Sequence, residues 1–346
     1  MGPIVSLTPL EEFKESQIAE YATACALQDP EIFITKIREL STANNFYVET
    51  FLRIHCHELN EPQIPLAIAT TGSDGRLEKC SPLSPVELIL ITPENKNLAK
   101  QALNTITKLE NLVSKNPNLF FPEIERKQLG VDRVSTNTNK VTKVIPCRAL
   151  DAQLLAGNSF IFIDYKSQLY TELCTKNFKN FTTSFLNASR KTLSDEISPK
   201  QVKKPLAIHA PEGMLITDGQ YLKGPKYGLL RSIQYSVDQI FFRTIKCKSI
   251  SEDEFKTVPP SIIERMNWLR ERNLMNLTPR ECETLKSHYL TGLQLYSHLE
   301  TKVAQQEIPP SSNCPVTIQT DSEKLQATLK ETCLLVNKLL SPTIGK

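Results

Sequence analysis

The segment Gly72–Glu78, with the sequence Gly-Ser-Asp-Gly-Arg-Leu-Glu, has the composition of an anion-binding turn. It lies between two short apolar runs, residues 66–71 and 86–91, which are typical of buried strands. Glycine at the end of a strand lets the backbone turn sharply and bring N–H groups close to an anion. Ser73 adds a hydroxyl donor, and Arg76 adds a planar guanidinium that suits phosphate oxygens. The turn is therefore a candidate phosphate-binding site.

A turn of this kind also has a purely structural interpretation. Many Gly-Ser turns bind no ligand, and Arg76 would then merely pair with Glu78 or Asp74 on the surface. The binding role makes a sharper demand, because it requires Ser73 and Arg76 to share one pocket with Glu87, a carboxylate of the second apolar run. A three-dimensional structure decides whether they do.

The elements around the turn predict an α+β fold. Helical patterns cover about the first sixty residues, where Asp29-Pro30 is a typical helix start. The two apolar runs, a helix over residues 97–114 and an extended stretch over 131–144 predict a small mixed sheet covered by helices. Helical patterns dominate again from Ala149 onward. The predicted organisation is an N-terminal helical region (1–60), a sheet-containing domain (61–146), a helical bundle (147–304), and a linker with a C-terminal helix (305–346).

Three segments of the chain resemble, in the same order, the catalytic domain of PII uridylyltransferase and a bacterial nucleotidyltransferase family that is often attached to CBS domains. Gly72–Glu78 matches the pattern G-S-x-G-R-x-E. Arg148–Asn158 is similar to L-L-E-A-R-L-L-A-G-D, and Leu222–Arg231 is similar to K-x-G-P-G-G-L-R-D. The resemblance implies a DNA-polymerase-beta-like nucleotidyltransferase fold, followed by a helical substrate-binding domain.

The resemblance also implies which residues would bind a nucleoside triphosphate. The turn would hold the phosphates, and the third segment would face the same cleft from the opposite wall and make it positive. The nucleotide-binding residues expected on this basis are Gly72, Ser73, Gly75, Arg76, Lys223 and Arg231.

The metal-binding residues of that family are altered in this chain. The family carries S-D-x-D-[NL] on the second strand, and its two Asp residues hold two Mg²⁺ ions. Here the corresponding residues are Ser84-Pro85-Val86-Glu87-Leu88, so proline replaces the first carboxylate and glutamate the second. Glutamate can still bind Mg²⁺ through oxygen. The resemblance thus implies Glu87 as a catalytic and Mg²⁺-binding residue, with Asp132 as the candidate for a third carboxylate.

Three functions remain open from the sequence. The altered metal pair favours a catalytically weakened or inactive nucleotidyltransferase-like protein that binds a nucleotide or a protein partner. The second possibility is an active Mg²⁺-dependent enzyme that transfers AMP or UMP to a protein hydroxyl. The third is a helical protein-interaction module whose small sheet is structural.

Composition argues against a nucleic-acid-binding protein, a disulfide-bonded secreted protein and a membrane protein. The net charge of +3 does not by itself indicate nucleic acid or a membrane surface as a partner. The nine cysteines are scattered without a C-x-x-C pair, which fits a reducing compartment better than a disulfide framework. The sequence contains no apolar run of about 18 residues. We therefore expect a cytoplasmic protein that spans no membrane.

Overall fold

The computed structural model describes residues 7–61, 63–81, 84–93, 95–120, 125–128, 146–175, 186–191, 193–194, 214–217, 220–223, 226–247, 250–305 and 322–341. The extended stretch predicted over 131–144, including Asp132, and most of the predicted linker lie outside these ranges.

Two helices open the described chain. Helix α1 spans Leu10–Cys25 and α2 spans Pro30–His55, followed by a 3-10 turn at His57–Asn60. Helix α2 starts where predicted, because Asp29 Oδ1 accepts hydrogen bonds from the N–H groups of residues 31 and 32 at 2.8 and 3.1 Å. Proline occupies its first position, where no N–H is needed.

A four-stranded sheet follows, in the order β3-β2-β1-β4. Its strands are β1 (Ala67–Thr70), β2 (Leu88–Thr92), β3 (Glu125–Gln128) and β4 (Gln153–Gly157). Strand β1 is antiparallel to both β2 and β4, and β3 is parallel to β2. Together with the predominance of helix, this sheet confirms the predicted α+β class.

Strand β4 differs from the predicted organisation. Residues 153–157 fall in the segment that the sequence assigns to the helical bundle, yet they pair with β1 along its whole length. A short apolar run such as Gln-Leu-Leu-Ala-Gly cannot be distinguished from a helical segment by periodicity alone. The sheet therefore extends beyond the predicted domain boundary at residue 146.

The remaining elements are mostly helical. The helix predicted over 97–114 is divided at Ala102 into α4 and α5. The helices after β1 are α3 (Gly72–Gly75), α4 (Lys96–Gln101), α5 (Leu103–Lys115), α6 (Pro146–Asp151), α7 (Ser159–Thr175), a π-helical turn (Lys226–Leu230), α8 (Arg231–Lys246), α9 (Glu252–Lys256), α10 (Ile262–Glu271), α11 (Pro279–Ala304) and α12 (Ser322–Leu340). Residues 186–191 are also helical. A hairpin of β5 (Met214–Thr217) and β6 (Gln220–Lys223) precedes the π-helical turn.

The core is divided by the sheet into two apolar clusters. Alternate residues of a strand point to opposite faces. Ile68, Leu88 and Leu90 join the smaller cluster, formed with the second half of α2 and with α5. Ala67, Ala69, Ile89 and Ile91 join the larger cluster, formed with helices α7, α8, α10 and α11. The sheet is thus covered on both faces by helices.

None of the helices in the described ranges is both long enough and apolar enough to cross a membrane.

Candidate functional site

A cleft of about 290 Å³ lies between the end of β1 and the helices α8 and α11. Ser73, Arg76 and Glu87 all contribute to its lining, as the binding interpretation of the turn requires. Arg231 and Tyr296 lie on the wall formed by the helices. The structure therefore brings residues from all three resembling segments into one cavity, because Asp151 belongs to the second segment and Arg231 to the third.

The two glycines of the turn have different constraints. Gly72 has φ +62°, a conformation that L side chains rarely adopt. A Cβ on Gly72 would lie 3.1 Å from Oε2 of Glu87. A Cβ on Gly75 would overlap the carbonyl oxygen of Asp151 and lie 3.0 Å from that of Thr70. Gly75 therefore allows close approach of α3 to the backbone of α6.

Arg76 pairs with two carboxylates. Its Nε lies 3.0 Å from Oε2 of Glu78, and its Nη1 lies 2.5 Å from Oδ2 of Asp151. The side chain of Arg76 is 11% exposed, and those of Glu78 and Asp151 are 0% and 1% exposed. The Arg76–Glu78 pair of the structural interpretation is present, but it is buried rather than on the surface.

Glu78 connects the turn to the helical part of the molecule. Its Oε1 accepts hydrogen bonds from the Ser261 hydroxyl at 2.8 Å and from the Ile262 N–H at 2.9 Å. Its Oε2 also accepts a hydrogen bond from the Tyr289 hydroxyl, at 2.8 Å. Burial and the charge of Glu78 raise the pKa of Tyr289 well above its ordinary value, so this hydroxyl keeps its proton.

Arg265 extends the ionic network deeper into the core. It is fully buried, and its Nη2 lies 3.1 Å from Oδ1 of Asp151. Its Nη1 lies 2.5 Å from Oδ1 of Asp238 on α8. Burial raises the pKa of Asp238 to about 6, although the charge of Arg265 opposes this shift. Sequence reasoning missed Asp151, Asp238 and Arg265, since no local pattern distinguishes a buried ion pair from surface charges.

Asp74 is also held by a cation. Its Oδ1 accepts from Lys79 Nζ at 2.9 Å and from Asn44 Nδ2 at 3.3 Å. The backbone carbonyl of Lys79 accepts a hydrogen bond from the Tyr21 hydroxyl at 2.7 Å. Both Asp74 and Lys79 are buried. Asp74 thus pairs with Lys79, and Arg76 takes other partners.

The described residues do not fit a two-Mg²⁺ site. Glu87 faces the cleft, but Pro85 beside it has no ligand atom in its side chain. The other carboxylates of the lining, Asp74, Glu78 and Asp151, are bound by the cations described above. In the part of the chain that the structure describes, no three His, Cys, Asp or Glu side chains are grouped to hold a metal ion.

The opposite wall of the cleft is cationic. Arg231, at the start of α8, lines it as the third resembling segment implies, whereas Lys223 ends β6 and its side chain lies outside the described part. Lys226 lines the cleft as well, and sequence reasoning missed it although it lies between those two residues. Its Nζ lies 3.2 Å from the Tyr296 hydroxyl and 5.3 Å from the centre of the Tyr296 ring. Burial and the charge of Arg231 lower the pKa of Lys226.

No protein-family model matches this chain, and a search of curated proteins finds no match to it. The resemblance of residues 72–78, 148–158 and 222–231 to nucleotidyltransferases therefore supports a proposal about function and does not establish a family.

Proposed function

We propose that this protein is a nucleotidyltransferase-like nucleotide-binding protein without nucleotidyl-transfer activity. The observation that carries the proposal is the cleft itself, where the turn after β1 faces the cations Lys226 and Arg231. A cavity with two cations on one wall suits a phosphorylated small molecule.

The size and lining of the cleft support a mononucleotide as the ligand. Its volume of about 290 Å³ is close to the lower limit for small-molecule sites, about 300 Å³. Tyr235 and Tyr296 supply aromatic surface, and Gln234 supplies an amide that can both donate and accept hydrogen bonds. These groups together could bind a base and a sugar next to the phosphate-binding wall.

The carboxylates of the described cleft support the proposed lack of transfer activity. Nucleotidyl transfer depends on electrostatic stabilisation of the triphosphate, for which the resembling family uses two Mg²⁺ ions. Pro85 removes one ligand, and Asp74, Glu78 and Asp151 are paired with Lys79 and Arg76. Glu87 is the remaining carboxylate of the resembling motif in the described cleft.

Isothermal titration calorimetry of the full chain with ATP, UTP, AMP and UMP tests this function. Each titration is run once with Mg²⁺ and once with EDTA. We expect at least one of these nucleotides to bind with a Kd that changes less than about threefold between the two conditions, because the protein supplies the cations itself. If none of the four binds, the proposed function is wrong.

A further inference from the structure

We propose that Lys226 and Arg231 bind the phosphate of the ligand, and that the Gly72–Arg76 turn does not. The inference rests on the proposed function for the identity of the ligand. It keeps the nucleotide-binding role that the family resemblance implies for Arg231, but it departs from the expectation that the turn holds the phosphates.

Arg76 is already committed to other partners. Its guanidinium bonds to Glu78 through Nε and to Asp151 through Nη1, and both carboxylates are completely buried. Moving Arg76 to a phosphate would take its charge away from both carboxylates, leaving Asp151 with Arg265 and Glu78 with neutral hydrogen-bond donors only, which is unfavourable. Arg76 is therefore a positioning residue that holds the turn in place.

Glu87 occupies the approach to the turn. Its backbone carbonyl accepts a hydrogen bond from Thr71 N–H at 3.2 Å, which fixes it beside the start of α3. Its Oε2 lies so close to Gly72 that an added Cβ would be 3.1 Å away. A phosphate at the N–H groups of this turn would meet the negative charge of Glu87 at short range, and no paired Mg²⁺ site is built beside it to offset the repulsion.

Lys226 and Arg231 contribute positive charge to the other wall of the cleft. The π-helical turn and the first residue of α8 place both on one wall of the cleft. Burial and, after it, the charge of Arg231 lower the pKa of Lys226. Glu300 and Glu87 act on Lys226 in the opposite direction, and burial raises the pKa of Glu300. A phosphate dianion between two cations in a partly desolvated cleft would relieve their mutual repulsion.

Calorimetry with two probes, pyrophosphate and the tightest-binding nucleotide, tests the assignment in EDTA. The variants are Lys226→Gln, Arg231→Gln and Glu87→Gln, with Lys246→Gln as the matched control. Lys246 is an exposed cation at the far end of the same helix as Arg231. Urea unfolding of each variant shows that a change in affinity does not come from loss of the fold.

We expect Lys226→Gln and Arg231→Gln each to weaken binding of both probes by about ten- to a hundredfold, the loss typical of a charge-assisted hydrogen bond. Glu87→Gln should tighten binding by about threefold or more because it removes a repulsive charge. Lys246→Gln should stay within about twofold of the wild type. If the Lys226→Gln or Arg231→Gln variant does not fold, Lys226→Arg and Arg231→Lys replace these variants. Retained binding in the conservative variants, together with tighter binding by Glu87→Gln, then supports the inference, and the opposite results overturn it.

The outcomes separate this inference from the proposed function. If the affinity for the nucleotide is unchanged in Lys226→Gln and Arg231→Gln, or is weakened in Glu87→Gln, the inference is wrong and the proposed function still holds. Pyrophosphate binding that depends on both cations, without any nucleotide binding, supports the phosphate site and overturns the nucleotide assignment. Failure of both probes to bind overturns both.

Discussion

Asp238 is a buried carboxylate of the ionic network with only one of its two oxygens hydrogen-bonded among the described residues. One of its oxygens accepts from Arg265, while Oδ2 is buried and has no hydrogen-bond partner within the described chain. A carboxylate that is desolvated on one side favours its neutral form, so the raised pKa has a direct structural cause. The network that holds the turn therefore contains buried polar atoms without a hydrogen-bond partner among the described residues, Asp238 Oδ2 and Arg265 Nε.

The titration of Asp238 predicts a measurable pH dependence of stability. Its folded-state pKa of about 6 exceeds the ordinary value of 3.8, so the folded protein binds a proton that the unfolded chain releases between these values. The contribution of Asp238 to the free energy of unfolding therefore rises as pH falls through about 6. Between pH 7.5 and 5.0 the wild type should gain on the order of 1 kcal/mol relative to Asp238→Asn, which cannot titrate. Urea unfolding of both proteins at the two pH values measures this difference. A constant difference across the range contradicts the assignment.

At the scale of elements, α3 controls the shape of the cleft because its backbone lies directly on α6. Gly75 makes that contact possible, since a Cβ there would overlap a main-chain carbonyl rather than a movable side chain. The same contact places Asp151, the last residue of α6, within reach of Arg76. The positions of the turn and of the ionic network therefore depend on each other.

Gly75→Ala should destabilise the protein by about 2 kcal/mol or more, because the overlapping backbone must move. Ser73→Ala, in the same short helix, is the matched control and should cost less than about 1 kcal/mol. Urea unfolding gives both values. Equal effects of the two substitutions would show that α3 and α6 are not in close contact.

The sequence was sufficient for elements with strong local signals. The two apolar runs predicted β1 and β2, and Asp29 with Pro30 predicted the start of α2. Strand β4 was not predicted, because its five residues carry no periodicity that separates a strand from a helix. The site shows the same limit. The Gly-Ser-x-Gly-Arg spacing marks the turn, but whether Arg76 faces a ligand or Asp151 depends on a contact across 75 residues.

At the scale of the whole molecule, the sheet cannot be separated from the helices that follow it. One face of β1 and β2 lies in the larger cluster, together with helices α7, α8, α10 and α11. Glu78 and Asp151 add ionic and hydrogen-bonded links between the same two parts. The segment before residue 147 therefore depends on the rest of the chain for burial and for charge compensation.

A fragment containing residues 1–146 should consequently fail to fold. It lacks β4 and the helices that cover Ile89 and Ile91. It also lacks Asp151, the second partner of Arg76, and the hydrogen-bond donors to Glu78 from α10 and α11. We expect narrow amide dispersion in its ¹H–¹⁵N NMR spectrum and no cooperative unfolding transition. The full chain under the same conditions is the control. A well-dispersed, cooperatively unfolding fragment would show that the first part is an independent domain.

The hydrogen bonds to Glu78 also constrain the order in which the nascent chain can mature. Glu78 accepts hydrogen bonds from the hydroxyls of Ser261 and Tyr289, which follow it in the sequence by 183 and 211 positions. During translation, this carboxylate must stay hydrated until α11 has left the ribosome, because earlier burial would leave it without these donors. The cleft is therefore completed only after α11 has been synthesised, and a polypeptide released before Tyr289 would not assemble it.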